Sequence, residues 1–108
     1  MRNTLEFRHE SWMTEGTVDL CKNSKVDLCM ADWPEFLDDL PVTSDFVYIR
    51  RHGEGGSYAA SYSKKALERD AMRLKNYVKN GKDAFIYFNN DLQEYAPRNA
   101  RELTEMLR

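Results

Sequence analysis

Long apolar runs are missing from this sequence. None approaches the roughly 20 residues that a membrane-spanning helix needs, so no transmembrane helix and no membrane partner are expected. Proline and glycine are scarce, at three and five of 108 residues. With 42% hydrophobic and 12% aromatic residues beside them, the chain has material for a packed core, which argues against intrinsic disorder. Its length allows one domain. Cysteine is limited to Cys21 and Cys29, and Met1 to Arg8 contain no apolar signal core. Both absences point to free thiols in a reducing, cytoplasmic setting. No charge of one sign dominates: 16 Lys and Arg face 18 Asp and Glu, for a net charge of −2. Nothing global therefore attracts nucleic acid, although a local basic site stays open.

What is present is an alternation of strand and helix patterns. Leu5 to Arg8 alternates apolar and polar residues, as a short strand does. Thr14 is placed to cap a helix from Glu15 to about Ser24, with Val18, Leu20 and Cys21 turned inward. Val26 to Ala31 is mostly apolar, like strands buried on both faces of a parallel sheet. A connector from Pro34 to Asp45 follows, with one turn of helix around Phe36 and Leu37. Phe46 to Ile49 is aromatic and β-branched, and it runs into Arg50-Arg51-His52-Gly53. Ser63 caps a helix reaching Asn80, with Leu67, Ala71, Leu74 and Val78 on one face and Gly81 at its end. Ala84 to Phe88 is the last strand. Pro97 opens a final helix that buries Ala100, Leu103 and Leu107. The predicted fold is α/β: four parallel strands alternating with helices, half of a TIM-type (β/α)8 barrel.

Each predicted strand ends in polar residues: Arg8-His9, Asp32, Arg50-Arg51-His52 and Asn89-Asn90-Asp91. In parallel α/β folds that edge faces the binding crevice. Period-two alternation puts Glu6 with Arg8, Tyr48 with Arg50 and His52, and Tyr87 with Asn89, each group opposite an apolar face. Arg8 and Arg50 are suited to clamp a phosphate or carboxylate, with Asn89 and Asn90 adding neutral hydrogen bonds. The plainer account is an internal Glu6–Arg8–Arg50 network that fixes the fold, and the two are compatible. Glu6, His9, Asp32, His52 and Asp91 are residue types that also bind divalent ions. Their spacing carries no ligand pattern, however, and the arginines would repel a cation. Cys21 and Cys29 read as buried small hydrophobes. The lysines and arginines of the helix from Ser63 to Asn80 are interrupted by Glu68 and Asp70, as on a solvated outer helix. Gly53, Gly55 and Gly56 lack the Lys-Ser/Thr of a phosphate loop. They suit instead a flexible loop over the site, which Tyr58 and Tyr62 would close.

EFRHESW (Glu6 to Trp12), Ala31-Asp32-Trp33-Pro34, FVYIRRHG (Phe46 to Gly53), Tyr62-Ser63, and YFNND with YAPRNA (Tyr87 to Ala100) occur in one order along the chain. Together they resemble the carboxyl half of the YecE-like family, domain of unknown function 72. The resemblance implies a β/α barrel and a site at its mouth. It names no reaction, and it implies that the family's amino-terminal half is not in this chain. Trp33 stands where the family usually carries a smaller residue.

These patterns nominate Glu6, His9, Asp32 and His52 as catalytic residues. Arg8, Trp12, Arg50, Asn89, Asn90, Asp91 and Tyr95 are the nominated ligand-binding residues. No metal and no cofactor are implied. The expected activity is binding, hydrolysis or isomerisation of a phosphorylated or sugar-containing compound. The contrasting expectation is a non-catalytic module that completes its barrel as a homodimer or with a separately encoded amino-terminal half.

Overall fold

The computed structural model describes residues 2–33, 37–53, 61–90 and 94–108. Gly55, Gly56, Tyr58, Asp91 and residues 34–36 of the connector lie outside them. The elements follow in the order β1 (Asn3–Leu5), a 3-10 turn (Glu10–Trp12), α1 (Glu15–Ser24), β2 (Val26–Leu28), β3 (Met30–Ala31), β4 (Phe46–Arg51), α2 (Lys64–Lys79), β5 (Asp83–Phe88) and α3 (Tyr95–Met106). The caps are those expected: Thr14 accepts the Thr17 N–H and Ser63 accepts the Ala66 N–H. Gly81 has φ +81°, a left-handed conformation that favours glycine, so it can end α2.

Among the described residues, each pairing between the named strands is parallel. β1 pairs with β2, β3 with β4, and β4 with β5. β2 and β3 are consecutive parts of one stretch, separated only by Cys29, whose N–H still donates to Leu5 O at 2.8 Å. This stretch exchanges partners partway: its first half pairs with β1 and its second half with β4. Where β2 runs beside β4 without ladder bonds, side chains fill the gap. The Asp27 carboxylate accepts the Tyr48 N–H at 3.1 Å, and the Thr43 hydroxyl donates to Val26 O at 2.6 Å. Backbone groups that a buried sheet cannot leave unpaired are satisfied in this way.

Val47 and Ile49 on one face of β4 pack with Met30 against Leu67, Ala71 and Leu74 of α2 and Leu103 of α3. Arg51 lies on that same face and is buried. Its Nη1 meets Asp38 Oδ1 at 2.6 Å, and its Nη2 meets Asp70 Oδ1 of α2 at 2.6 Å. Arg73 adds a second guanidinium 3.0 Å from Asp38. Burial works against the Arg51 charge, but the Asp70 hydrogen bond and the attraction of Asp38 outweigh it and hold its pKa above the ordinary value.

Several expectations change. The first strand is Asn3–Leu5, not Leu5 to Arg8, because its ladder ends when the neighbouring stretch turns to β4. Leu37 forms an antiparallel bridge with Ala31, while Phe36, the other residue of the expected helical turn, lies outside the described residues. Leu20 is 66% exposed. At about 100° per residue it lies some 200° from Val18, on the far side of α1. Val78 (62% exposed), near the end of α2, and Leu107, just beyond α3, are exposed, so neither is core. Among the described residues, no helix is long and apolar enough to cross a membrane.

Candidate functional site

The face of the sheet opposite α2 and α3 carries the alternate residues. Parallel register places Tyr48 beside Phe85 and Arg50 beside Tyr87. Two aromatic contacts line the face: Phe46 against Phe85, edge-on at 6.2 Å, and Tyr48 stacked on Tyr87 at 5.2 Å. Beyond them, at the carboxyl ends of the strands, is a hydrogen-bonded polar cluster. Arg50 Nη1 donates to Glu6 Oε1 at 3.1 Å, while its Nε and Nη2 both donate to Asn89 Oδ1, at 3.2 and 3.0 Å. Arg8 Nη2 approaches Glu6 Oε2 at 3.2 Å. Three strands thus contribute to one cluster: Glu6 and Arg8 follow β1, Arg50 is on β4, and Asn89 follows β5.

Trp33 and His52 adjoin the cluster. The Arg8 guanidinium lies 5.7 Å from the Trp33 ring centroid, and Trp33 meets the buried His52 ring edge-on at 5.8 Å. Burial, and then the positive charge of Arg50, lower the His52 pKa, so its imidazole is neutral at neutral pH. Asp32 lies behind this pair and is already engaged. Its Oδ1 accepts the His52 N–H at 2.8 Å and its Oδ2 accepts the Tyr62 hydroxyl, whose oxygen in turn accepts the Gly53 N–H at 2.7 Å. Burial and the Asp32 hydrogen bond raise the Tyr62 pKa. The clasp joins the end of β3 to Gly53 and Tyr62, on either side of residues 54–60.

Glu6, Arg8, Arg50 and Asn89 are therefore together, with His52 and Asp32 adjacent. The other nominated residues lie elsewhere. His9 is exposed, and its Nδ1 accepts the Ser11 N–H to cap the 3-10 turn. Trp12 stacks on Phe7 at 5.2 Å. Asn90 is buried and donates from Nδ2 to Asn99 Oδ1 of α3 at 2.8 Å, inside the helix layer. Tyr95 opens α3 with the Arg98 guanidinium 4.9 Å from its ring centroid. Asp91 falls outside the described residues. Sequence reasoning gave Trp33 no role at the site, although alternation from Ala31 returns position 33 to the site's face. It also missed the Tyr62–Asp32 contact, which no local pattern announces because 30 residues separate the partners.

Two guanidiniums share one carboxylate, Glu6. Of the five N–H groups on Arg50, three are used within the cluster, and the Asn89 amide nitrogen has no acceptor among the described residues. The surplus is in donors. Among the described residues no three His, Cys, Asp or Glu side chains gather as metal ligands. Burial and then nearby Glu6 push the Cys29 thiol up to about 12, which keeps it protonated and unreactive.

Over residues 1–108 the sequence matches the family described as "Protein of unknown function DUF72". The chain belongs to the DUF72 family. A crystal structure of a DUF72 family protein from Thermotoga maritima MSB8 is similar, with TM-score 0.84, 25% identity, and coverage of 99% of this chain and 46% of that one. Two crystal structures of a DUF72 family protein from Enterococcus faecalis V583 share the fold, at TM-scores of 0.77 and 0.75 and identities of 18% and 19%. They cover 99% of this chain and 47% and 49% of theirs. The chain thus spans about half the length of these solved DUF72 proteins. No curated protein matches it.

Proposed function

We propose that the strand-end cluster of Arg8, Arg50 and Asn89 binds the anionic group of a small phosphorylated or sugar-containing compound, with Glu6 holding the two guanidiniums in place. The surplus of donors at the mouth of the parallel sheet carries this reading. A phosphate supplies acceptors for the unused N–H groups and a charge for the second arginine. Binding is favoured over acid–base catalysis because both nearby carboxylates are committed, Glu6 to two arginines and Asp32 to Tyr62 and His52. If hydrolysis or isomerisation follows, the neutral His52 imidazole is the titratable ring adjoining the cluster among the described residues. Arg50→Gln is expected to weaken inorganic phosphate binding about tenfold, the loss of one charge-assisted contact. The wild-type affinity falls as salt rises. Equilibrium titration at low and moderate ionic strength checks both, and an unchanged affinity in the variant contradicts the reading.

A second reading concerns assembly. Among the described residues, β1 and β5 each pair on one side only. Unpaired edges invite further strands. Together with the half-length match, they support reading the chain as the carboxyl half of a TIM-type barrel, closed by a second copy or by a separately encoded amino-terminal half.

A further inference from the structure

On the opposite side of the sheet from the polar cluster, the ends of α2 and α3 overhang the start of β5 and leave a groove of about 480 Å³. Its walls are Leu74 and Val78 of α2 and Leu107 beyond α3, and its floor is Ala84 and Ile86 of β5. The small Ala84 side chain keeps that floor low. Lys75 and Lys79, one helical turn apart, complete the lining; both are exposed and have no carboxylate partner among the described residues. We infer that this groove binds a medium-chain alkyl carboxylate, with the chain along Val78, Ala84 and Ile86 and the head group between Lys75 and Lys79.

Three observations select this occupant. The volume lies within the roughly 300–1,000 Å³ of small-molecule sites, and the lining is apolar with polar groups at one edge only. Paired cations on one rim call for an anionic head, and the apolar floor calls for a hydrocarbon tail.

The test titrates hexanoate, octanoate and decanoate, below their aggregation concentrations, into the isotopically labelled 108-residue chain. Shifts are expected at the amides of Leu74 to Lys79 and Ala84 to Ile86, with affinity rising about fourfold per added methylene until the groove is filled. Lys75→Gln/Lys79→Gln changes only exposed side chains. It is expected to weaken octanoate binding about threefold to tenfold and to leave octan-1-ol binding unchanged. Ala84→Leu raises the floor and abolishes both. Affinity independent of chain length overturns the inference, as does octanoate binding unaffected by the lysine substitutions. Shifts confined to the Arg50 and Asn89 region overturn it too. Binding to phosphatidylglycerol vesicles without binding of free octanoate overturns it in favour of a lipid surface. Groove shifts that track protein concentration, with none from octanoate, overturn it in favour of self-association.

Discussion

Asp27 accepts hydrogen bonds at Oδ2 from the Thr4 hydroxyl and the Tyr48 N–H, yet it is fully buried. Burial pushes its pKa up to about 6, against the opposing effect of those two bonds. The folded chain therefore holds the Asp27 proton more tightly than the unfolded chain does. Between the unfolded value near 4 and the folded value near 6, stability falls as pH rises, and it stays lower above that window. Asp27→Asn keeps an acceptor for Thr4 and Tyr48 and removes the charge. The variant is expected to be more stable than wild type at pH 8 by about 1–3 kcal/mol, with the gap closing by pH 3. Urea unfolding at the two pH values measures this, and a gap of equal size at both contradicts it. That Asp27 is a strand residue was legible from the run Val26 to Ala31. Its role as a replacement for ladder bonds was not, because it depends on where that stretch exchanges partners. His9 and Asn90 show the same limit. Position near a strand end was readable, but the turn that takes up His9 and the helix that meets Asn90 are tertiary facts.

β4 is bound to α2 by a contact that alternation half reveals. Period two puts Arg51 on the face of Val47 and Ile49, whereas Asp70, expected on a solvated outer helix, is buried in the stripe with Leu67, Ala71 and Leu74. Each looks anomalous alone, and their pairing resolves both anomalies. Replacing Arg51 leaves Asp38 and Asp70 buried with only Arg73 for company. Arg51→Met is therefore expected to cost about 3–5 kcal/mol. Adding Asp70→Leu removes one stranded carboxylate and should restore part of the loss. Denaturant midpoints check both variants, and a single substitution within about 0.5 kcal/mol of wild type contradicts the account. Helix existence and capping were readable at Thr14 and Ser63, because those signals are local. The exposed Val78 and Leu107 were not, since periodicity says which face is apolar and not how far the sheet extends beneath it.

The whole molecule is a sheet whose polar face carries Tyr87 at 51% exposure and whose two outer strands are paired on one side only among the described residues. A small domain with such a face gains by covering it. Sedimentation of the isolated chain is expected to show mass rising with concentration as two copies close over the shared face. A strictly monomeric, cooperatively folding species at all concentrations contradicts closure by a second copy. The central claim concerns the site on that face, and one measurement tests it most directly: mapping amide shifts on titration with inorganic phosphate. The predicted shifts lie at Arg8, Arg50 to Gly53 and Asn89, and they fade as salt is added. Shifts on the lysines and arginines of α2, with the strand ends silent, would show that phosphate meets only the outer helix and that the strand-end cluster is purely structural.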